Sequence, residues 1–202
     1  MSQDQNPDET RRTLMGMGAA ALIGGHALVG PAAQPAAPTP PPVASRTVPP
    51  GRSGEFDFLQ GDWQIDNRKR RSGTEEWDRF AGEASVRTLL AGVVSVEELR
   101  IPVRQFSGMG LRILDQEKKV WVDYWVNARS GVLGRDGTPG GFEKGVGTFI
   151  SEDVDGETRV LVRGIWDRIT PQTCRWSQSI SRDGGLTWQD DWIMDWTRRI
   201  RA

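Results

Sequence analysis

Apolar and polar residues alternate through short segments of the chain from residue 63 onward, and these segments are rich in Val, Ile, Trp and Thr. Gly, Asp and Pro interrupt them roughly every dozen residues, a spacing typical of strands joined by turns. A period of two buries one face of a β-strand, whereas the period of about 3.6 that marks an amphipathic helix is nearly absent. The pattern therefore predicts an all-β domain.

The predicted strands follow one another with short polar connections. Three of the connections, 115–119, 153–156 and 183–185, have hairpin chemistry, and in the last two a Gly accepts positive φ. Such strands form an antiparallel up-and-down meander, and closing the meander into a barrel removes both exposed edges. We expect one barrel of about 9–10 strands, with candidate strands at 63–70, 77–90, 93–103, 110–115, 120–128, 145–152, 159–167, 175–181 and 190–199.

The first 50 residues follow a different pattern. Arg11 and Arg12 stand in the run Thr-Arg-Arg-Thr-Leu-Met-Gly at residues 10–16, and residues 17–30 are weakly apolar and rich in Gly and Ala. This arrangement resembles a twin-arginine export signal, which implies that a folded protein is delivered to the periplasm or the extracellular space. A retained membrane anchor is the alternative, although the apolar run from Leu14 to Gly30 is marginal in length for a span.

Composition divides the chain into three parts. We predict a twin-arginine signal peptide over residues 1–37, a disordered linker rich in Pro and Ala over 38–54, and the barrel domain over 55–202. A domain of roughly 150 residues is long enough to bury one core. Cleavage of the signal would leave a mature chain with no integral membrane span, whereas a retained signal would tether the chain to the membrane.

The charge balance and the scarcity of His and Cys exclude several functions. Lys and Arg number 26 against 27 Asp and Glu, so a net charge of −1 disfavours nucleic acid as a partner. The only His, His26, lies in the predicted signal, and Cys174 is the only Cys. The mature domain therefore lacks the side chains for a Ser-His-Asp triad, a His-ligated haem, a zinc site of the usual type or an internal disulfide. The sequence indicates no metal and names neither a cofactor nor an oligomeric state.

Four motifs carry a resemblance to a known type of barrel. Phe-Asp-Phe-Leu-Gln-Gly-Asp-Trp at 56–63 opens the domain, and the others occupy residues 121–129, 183–188 and 192–198. In this order they resemble the lipocalin-like (calycin-type) barrels, and in particular a lipocalin-like bacterial domain family of unknown function. The resemblance implies that a short N-terminal turn closes one end of the barrel. It also implies that Trp63, two residues after Gly61, packs beneath Arg198 or Arg199 in a structural role.

Alternation assigns the faces that carry Trp to the barrel interior. A Trp-lined cavity with a few convergent polar groups is typical of a small-ligand site. The sequence therefore predicts an exported barrel that binds a small, partly apolar molecule. The walls of the site would be Trp125, Trp176 and Trp192, and the groups that orient the ligand would be Asn127, Arg129 and Gln178.

Two alternatives remain open at this point. The interior polar groups could satisfy one another in a filled barrel, which would then be a structural or interaction domain without a ligand. Less favoured is an enzyme, in which an inward Glu97 acts as general acid or base and Arg129 stabilises an anion. A cavity that reaches Glu97 would be needed for that reaction.

Two further motifs are interpreted as structural. Ser-Arg-Asp-Gly-Gly-Leu-Thr-Trp at 181–188 matches the Asp-box of sialidase-type propellers, but a propeller needs several copies and this chain has one. We expect a hairpin tip in which Asp183 accepts turn amides and Trp188 anchors the base. The Gly-rich segment 131–147 contains no G-x-x-x-x-G-K-[ST] motif of a phosphate loop, and we expect a mobile loop at the barrel mouth that ends in a bulge.

Overall fold

The structure, a computed structural model, describes residues 48–134 and 136–199. The predicted signal peptide, the first part of the predicted linker and the last three residues of the barrel domain lie outside the described residues. The export prediction therefore stays a prediction. Within the described residues, no helix has the length and apolar character needed to cross a membrane.

Ten antiparallel strands form one closed barrel, which confirms the predicted fold class. Each strand pairs with its neighbours in the chain, and β1 pairs with β10 to close the sheet. The described helical segments are three short 3-10 turns, Asp57–Leu59, Leu90–Gly92 and Pro102–Arg104. The strands are β1 (Gly61–Arg70), β2 (Trp77–Leu89), β3 (Val94–Ile101), β4 (Phe106–Asp115), β5 (Val120–Asn127), β6 (Thr138–Glu143), β7 (Val146–Asp155), β8 (Thr158–Asp167), β9 (Thr173–Ser181) and β10 (Gln189–Arg198).

The assignment of residues 131–147 to a loop was wrong for its second half. Residues 138–143 form β6, which pairs with β5 and β7, and residues 146 and 147 belong to β7. Glycine is a poor strand former, but here it permits close approach. A Cβ at Gly140 would lie 2.4 Å from the Phe149 ring, and one at Gly141 would lie 2.4 Å from the carbonyl oxygen of Pro49.

The inner faces of the strands form an aromatic core. The face that carries Trp is wholly or partly buried in β1, β5, β8, β9 and β10, and parts of β8, β9 and β10 are buried on the opposite face as well. Each buried indole removes roughly 150–250 Å² of surface from water, which makes these side chains the main apolar contribution to the core. The buried Trp residues are Trp63, Trp121, Trp166, Trp176, Trp192 and Trp196.

A short turn and one Arg close one end of the barrel, which we call the closed end. Phe56 and Leu59 are buried there, and the Trp63 indole donates to the Leu59 carbonyl at 2.7 Å. The Arg198 guanidinium lies 4.3 Å from the Trp63 ring centre and donates to the carbonyls of Phe58, Gln60 and Pro171. Gly61 has φ +123°, and a Cβ there would lie 2.7 Å from Arg198 Nη1. The resemblance offered Arg198 or Arg199 as the partner of Trp63, and the structure places Arg198 against that ring.

The last residues of the predicted linker pack against the barrel. We call residues 48–55 the N-terminal strap. The backbone N–H of Gly51 donates to Lys119 at 2.7 Å, and that of Gly54 donates to Gly92 at 2.9 Å. The Trp121 indole donates to the Glu55 carboxylate at 2.9 Å. The described part of the predicted linker thus contacts the barrel at the closed end.

Candidate functional site

A small cavity lies in the barrel interior between charged and aromatic side chains. Its volume is about 20 Å³, enough for one water molecule and far below the roughly 300–1,000 Å³ of a pocket for a drug-sized ligand. The buried Trp residues and the other core side chains fill the interior around it. The residues that line the cavity are Glu97, Arg112, Asp123, Trp125, Trp166, Trp176, Met194 and Trp196.

Strand register brings three charged groups together at this cavity. Arg112 in β4 stands opposite Asp123 in β5, and Glu97 in β3 stands opposite Gly110, two residues before Arg112. Arg112 Nη2 donates to Glu97 Oε2 at 2.5 Å, and Arg112 Nε lies 3.6 Å from Asp123 Oδ1. Gly110 leaves room for this pair, because a Cβ there would lie 3.1 Å from Arg112 Nη2 and 3.3 Å from Glu97 Oε2.

Arg112 keeps its positive charge although it is buried. Burial by itself lowers the pKa of the guanidinium, but the nearby carboxylates of Glu97 and Asp123 outweigh burial and raise the pKa above its ordinary value. The guanidinium carbon also lies 5.1 Å from the Trp166 ring centre and 5.3 Å from the Phe56 ring centre. Aromatic faces attract a cation at such distances.

Among the residues that line the cavity, three have a buried hydrogen-bond donor with no partner in the part of the chain that the structure describes. These donors are Nη1 of Arg112 and the indole Nε1 atoms of Trp166 and Trp196. All three residues are less than 5% exposed. A buried donor without a partner costs about 1–3 kcal/mol, so these groups favour a bound acceptor atom.

The structure brings two of the six predicted ligand-binding residues to the cavity. Trp176 lines it from β9, and the half-buried Trp125 lines it from β5. The Trp125 ring stacks on Phe106, with ring centres 6.3 Å apart. Trp125 stands two residues before the end of β5 that lies opposite the closed end.

Two other predicted residues belong to a separate buried cluster. The Trp192 indole donates to Asn67 Oδ1 at 3.0 Å, and Gln178 Nε2 donates to Asp191 at 3.2 Å. Lys69 Nζ donates to the same Asp191 oxygen at 3.1 Å and lies 4.7 Å from the Trp192 ring centre. Trp192 and Gln178 therefore stabilise the wall formed by β1, β9 and β10.

Asn127 and Arg129 do not form the predicted pair of ligand-orienting groups. Asn127 is buried at the end of β5, and its Oδ1 accepts the backbone N–H of Arg129 at 2.8 Å. Arg129 itself is exposed in the turn that follows, so the structure does not place it in the interior or beside Glu97. Period-two alternation predicts an inward Arg129 only if the strand continues to that residue. Because β5 ends at Asn127, the alternation does not extend to Arg129.

Arg112 and Asp123 are the site residues that the sequence analysis did not nominate. Asp123 shares the inward face with Trp125, which was a usable signal. Arg112 lies at the same parity as Gly110 and Leu114, but β4 carries no Trp to mark its inner face. A second signal was Glu97, since a carboxylate predicted to face an apolar interior requires a cationic partner nearby.

The hairpin tip at residues 181–188 is held together by hydrogen bonds within the turn. The Asp183 carboxylate accepts the backbone N–H and the hydroxyl of Thr187 and the hydroxyl of Ser181. These hydrogen bonds, those from Thr187 first, hold the pKa of Asp183 well below its ordinary value. The Trp188 indole donates to the Gly185 carbonyl at 3.2 Å, and the Arg163 guanidinium lies 4.1 Å from the Trp188 ring centre.

Residues 48–134 and 136–199 were compared with the side-chain requirements of a metal site and of a reactive thiol. No cluster of three or more His, Cys, Asp and Glu side chains there could hold a metal ion. Cys174 is buried, and burial raises the pKa of its thiol to about 12. A thiol with this pKa is protonated at neutral pH and unreactive.

Comparison with known proteins identifies similar solved structures and no family. No protein-family model and no curated protein matches the chain. Rv2717c from M. tuberculosis is similar over 73% of this chain and 99% of its own, with 10% identity and a TM-score of 0.43. A protein of unknown function from the DUF3598 family of Nostoc punctiforme is similar over 71% of this chain and 49% of its own, with 14% identity and a TM-score of 0.41. Similarity at this level assigns no function to the chain.

Proposed function

We propose that the barrel binds a small, partly apolar molecule in its interior, at the cavity beside Arg112. The observation that carries this proposal is the buried Arg112, whose Nη1 has no hydrogen-bond partner among the described residues while Nη2 is paired with Glu97. Buried ion pairs are costly to form, and an apolar core of the same volume is often at least as stable. A polar recognition group in an aromatic interior is thus better explained by a ligand than by packing.

The small volume of the cavity constrains how a ligand enters. About 20 Å³ accepts one polar atom, so a larger molecule requires a neighbouring side chain to move. Trp125 is the side chain suited to this movement, because it is half-buried and lies near the end of β5. Rotation of Trp125 would join the cavity to the end of the barrel opposite the closed end.

A barrel without a ligand is the second candidate, and the filled interior favours it. In that case the Glu97–Arg112 pair would contribute only to the specificity of strand pairing, or would be neutral. Replacing the pair by uncharged side chains would leave the stability unchanged or raise it, and no small molecule would change the Trp fluorescence.

A binding experiment on the full chain separates the two candidates. Native mass spectrometry looks for copurified small molecules, and Trp emission and thermal unfolding are followed during titration with small aromatic amides and ketones. Binding at about 100 times Kd would stabilise the protein by about 2.7 kcal/mol. We expect the double variant Arg112→Met/Glu97→Gln to lose this response, because it removes the recognition group and leaves no unpaired charge from the pair.

Arg100 provides the matched control. It lies in β3, where its side chain is 30% exposed, and it pairs with Glu83 and Glu98 as Arg112 pairs with Glu97 and Asp123. Arg100→Met therefore removes an Arg with two carboxylate partners outside the cavity, and we expect the ligand response to survive. A full chain that shows no copurified molecule and no response, together with a double variant that is equally stable, would establish the barrel without a ligand.

A further inference from the structure

Resting on the proposed function, we infer that Trp166 and Trp196 determine which ligand binds, through hydrogen bonds from their indole N–H groups to an oxygen atom of the ligand. The site would then select a molecule with an acceptor oxygen over the hydrocarbon of the same shape. The inference depends on a contrast between these two indoles and the other buried indoles of the barrel.

Three buried indoles that lie away from the cavity have an acceptor within the protein. The pairs are Trp63 with the Leu59 carbonyl at 2.7 Å, Trp121 with the Glu55 carboxylate at 2.9 Å, and Trp192 with Asn67 Oδ1 at 3.0 Å. None of these three Trp residues lines the cavity. A buried Trp usually finds a hydrogen-bond partner, and these three follow that rule.

Trp166 and Trp196 depart from the rule, and both line the cavity. Their Nε1 atoms have no partner among the described residues, although the two residues are only 1% and 2% exposed. Their rings meet edge to face with centres 5.4 Å apart, so each ring supports the position of the other. An indole donates and cannot accept, so both groups require an acceptor atom that the described residues do not supply.

Arg112 adds a third donor to the same lining. Its Nη2 donates to Glu97 Oε2, and this contact leaves Nη1 without a partner among the described residues. The cavity of about 20 Å³ has room for roughly one water-sized atom. An oxygen atom of the ligand would satisfy donors at this position, whereas a methylene carbon would leave them unsatisfied. The ligand class is therefore a small, partly apolar molecule that carries a carbonyl or carboxylate oxygen.

A ketone and an alkene of the same shape test this inference on the full chain. Acetophenone has a carbonyl oxygen where α-methylstyrene has a methylene carbon, so the pair differs mainly in the acceptor. A purely apolar cavity would prefer the alkene, because burying a carbonyl without a hydrogen bond is unfavourable. We expect acetophenone to bind at least as tightly as α-methylstyrene. Benzoate, titrated in parallel, offers the acceptor on an anion, so ketone binding identifies a neutral ligand group and benzoate binding an anionic one.

The indole N–H signals in NMR spectra show which Trp residues contact the probe. The chain has nine Trp, and each indole gives one N–H signal. We expect an oxygen-bearing probe to shift the signals of Trp166 and Trp196. The signal of Trp63 should stay in place, because its N–H already donates to Leu59.

Two variants remove the proposed donors and keep an aromatic ring. We expect Trp166→Phe and Trp196→Phe each to lower the affinity for the oxygen-bearing probe by about tenfold, while the affinity for α-methylstyrene does not fall. Trp63→Phe is the matched control, since it removes a buried indole N–H that already has an acceptor away from the cavity. It should leave both affinities unchanged. The probe comparison and the NMR signals of the unmodified chain stand even where a variant does not fold.

The outcomes separate this inference from the proposed function. If α-methylstyrene binds more tightly than both oxygen-bearing probes, or if Trp166→Phe and Trp196→Phe weaken ketone and alkene equally, the inference is overturned and a small-ligand barrel stands. A copurified molecule with an acceptor oxygen supports the inference, and a copurified hydrocarbon overturns it. If no probe binds the unmodified chain and no small molecule copurifies with it, the proposed function fails, and the inference fails with it.

Discussion

Gly108 determines where the Trp125 ring lies. A Cβ at Gly108 would lie 2.1 Å from the Trp125 ring, far inside van der Waals contact. Gly108 pairs with Asn127 across the β4–β5 ladder, so the absence of its side chain gives the neighbouring indole a groove in which to lie flat. The position of Trp125, which lines the cavity, thus depends on the absence of a side chain at Gly108.

We predict that Gly108→Ala lowers the free energy of unfolding by about 1–3 kcal/mol, because the Trp125 ring must leave its position. Most of this loss should disappear when Trp125 is replaced by Leu, and a double-mutant cycle in urea measures that coupling. Gly164→Ala is the matched control, since its Cβ would lie 3.3 Å from the Trp176 indole and requires little movement. Equal losses for Gly108→Ala in both backgrounds would contradict the prediction.

Single residues also show what the sequence could and could not predict about the site. Period-two alternation was sufficient to place Glu97, Trp125 and Trp176 on inner faces. It could not reveal that Arg112 meets Glu97, because that contact depends on the register between β3 and β4, to which sequence spacing gives no access. The exposed position of Arg129 depends on where β5 ends, and the ends of strands are set by tertiary contacts.

At the scale of elements, the N-terminal strap shows how glycines allow a segment without regular structure to dock. Gly92 in the turn between β2 and β3 has φ +86°, and a Cβ there would lie 2.5 Å from the backbone nitrogen of Gly54. A Cβ at Gly51 would lie 2.8 Å from both Leu114 and Trp121. Side chains at these positions would lift the strap from the closed end.

We predict that Gly92→Ala destabilises the barrel by more than the backbone strain alone. Gly145 supplies the matched control, because its φ of +79° is similar and its Cβ would meet nothing described within 4 Å. Gly145→Ala should cost about 1–2 kcal/mol for the left-handed conformation, and Gly92→Ala about 1–3 kcal/mol more, because its Cβ meets the strap backbone. Urea unfolding measures both. Equal losses would show that the strap moves aside freely.

β6 shows the limit of predicting elements from local pattern. Its sequence, Thr-Pro-Gly-Gly-Phe-Glu, contains one large apolar residue and three residues that disfavour strands. The segment is extended because β5 and β7 offer hydrogen bonds on its two sides and because its glycines fit beneath Phe149 and Pro49. These are tertiary causes, and they override a local propensity that favours a loop. The other nine strands had enough Val, Ile or Trp to be recognised without their neighbours.

At the scale of the whole molecule, closure of the ten strands into a barrel shields the inner wall from solvent. Closure by β1 and β10 leaves no free sheet edge, so a group on the inner wall reaches solvent only through an end of the barrel or when a seam between strands separates. Cys174 is such a group, since it lies in β9 with 3% of its surface exposed, opposite Trp196 in β10. As the only Cys in the chain, it reports on the opening of the barrel without interference from other thiols.

We therefore predict that Cys174 reacts with a thiol reagent only when the barrel opens as a unit. Burial raises the thiol pKa to about 12, so at pH 8 the folded protein holds almost no thiolate, whereas the unfolded chain, with an ordinary pKa of about 8.5, holds a substantial fraction. The labelling rate should rise with urea as steeply as global unfolding does. Gly92→Ala should accelerate labelling only in proportion to its loss of global stability. Rapid labelling without urea, or a rate independent of urea, would show that β9 separates from β8 or β10 while the rest of the barrel stays folded.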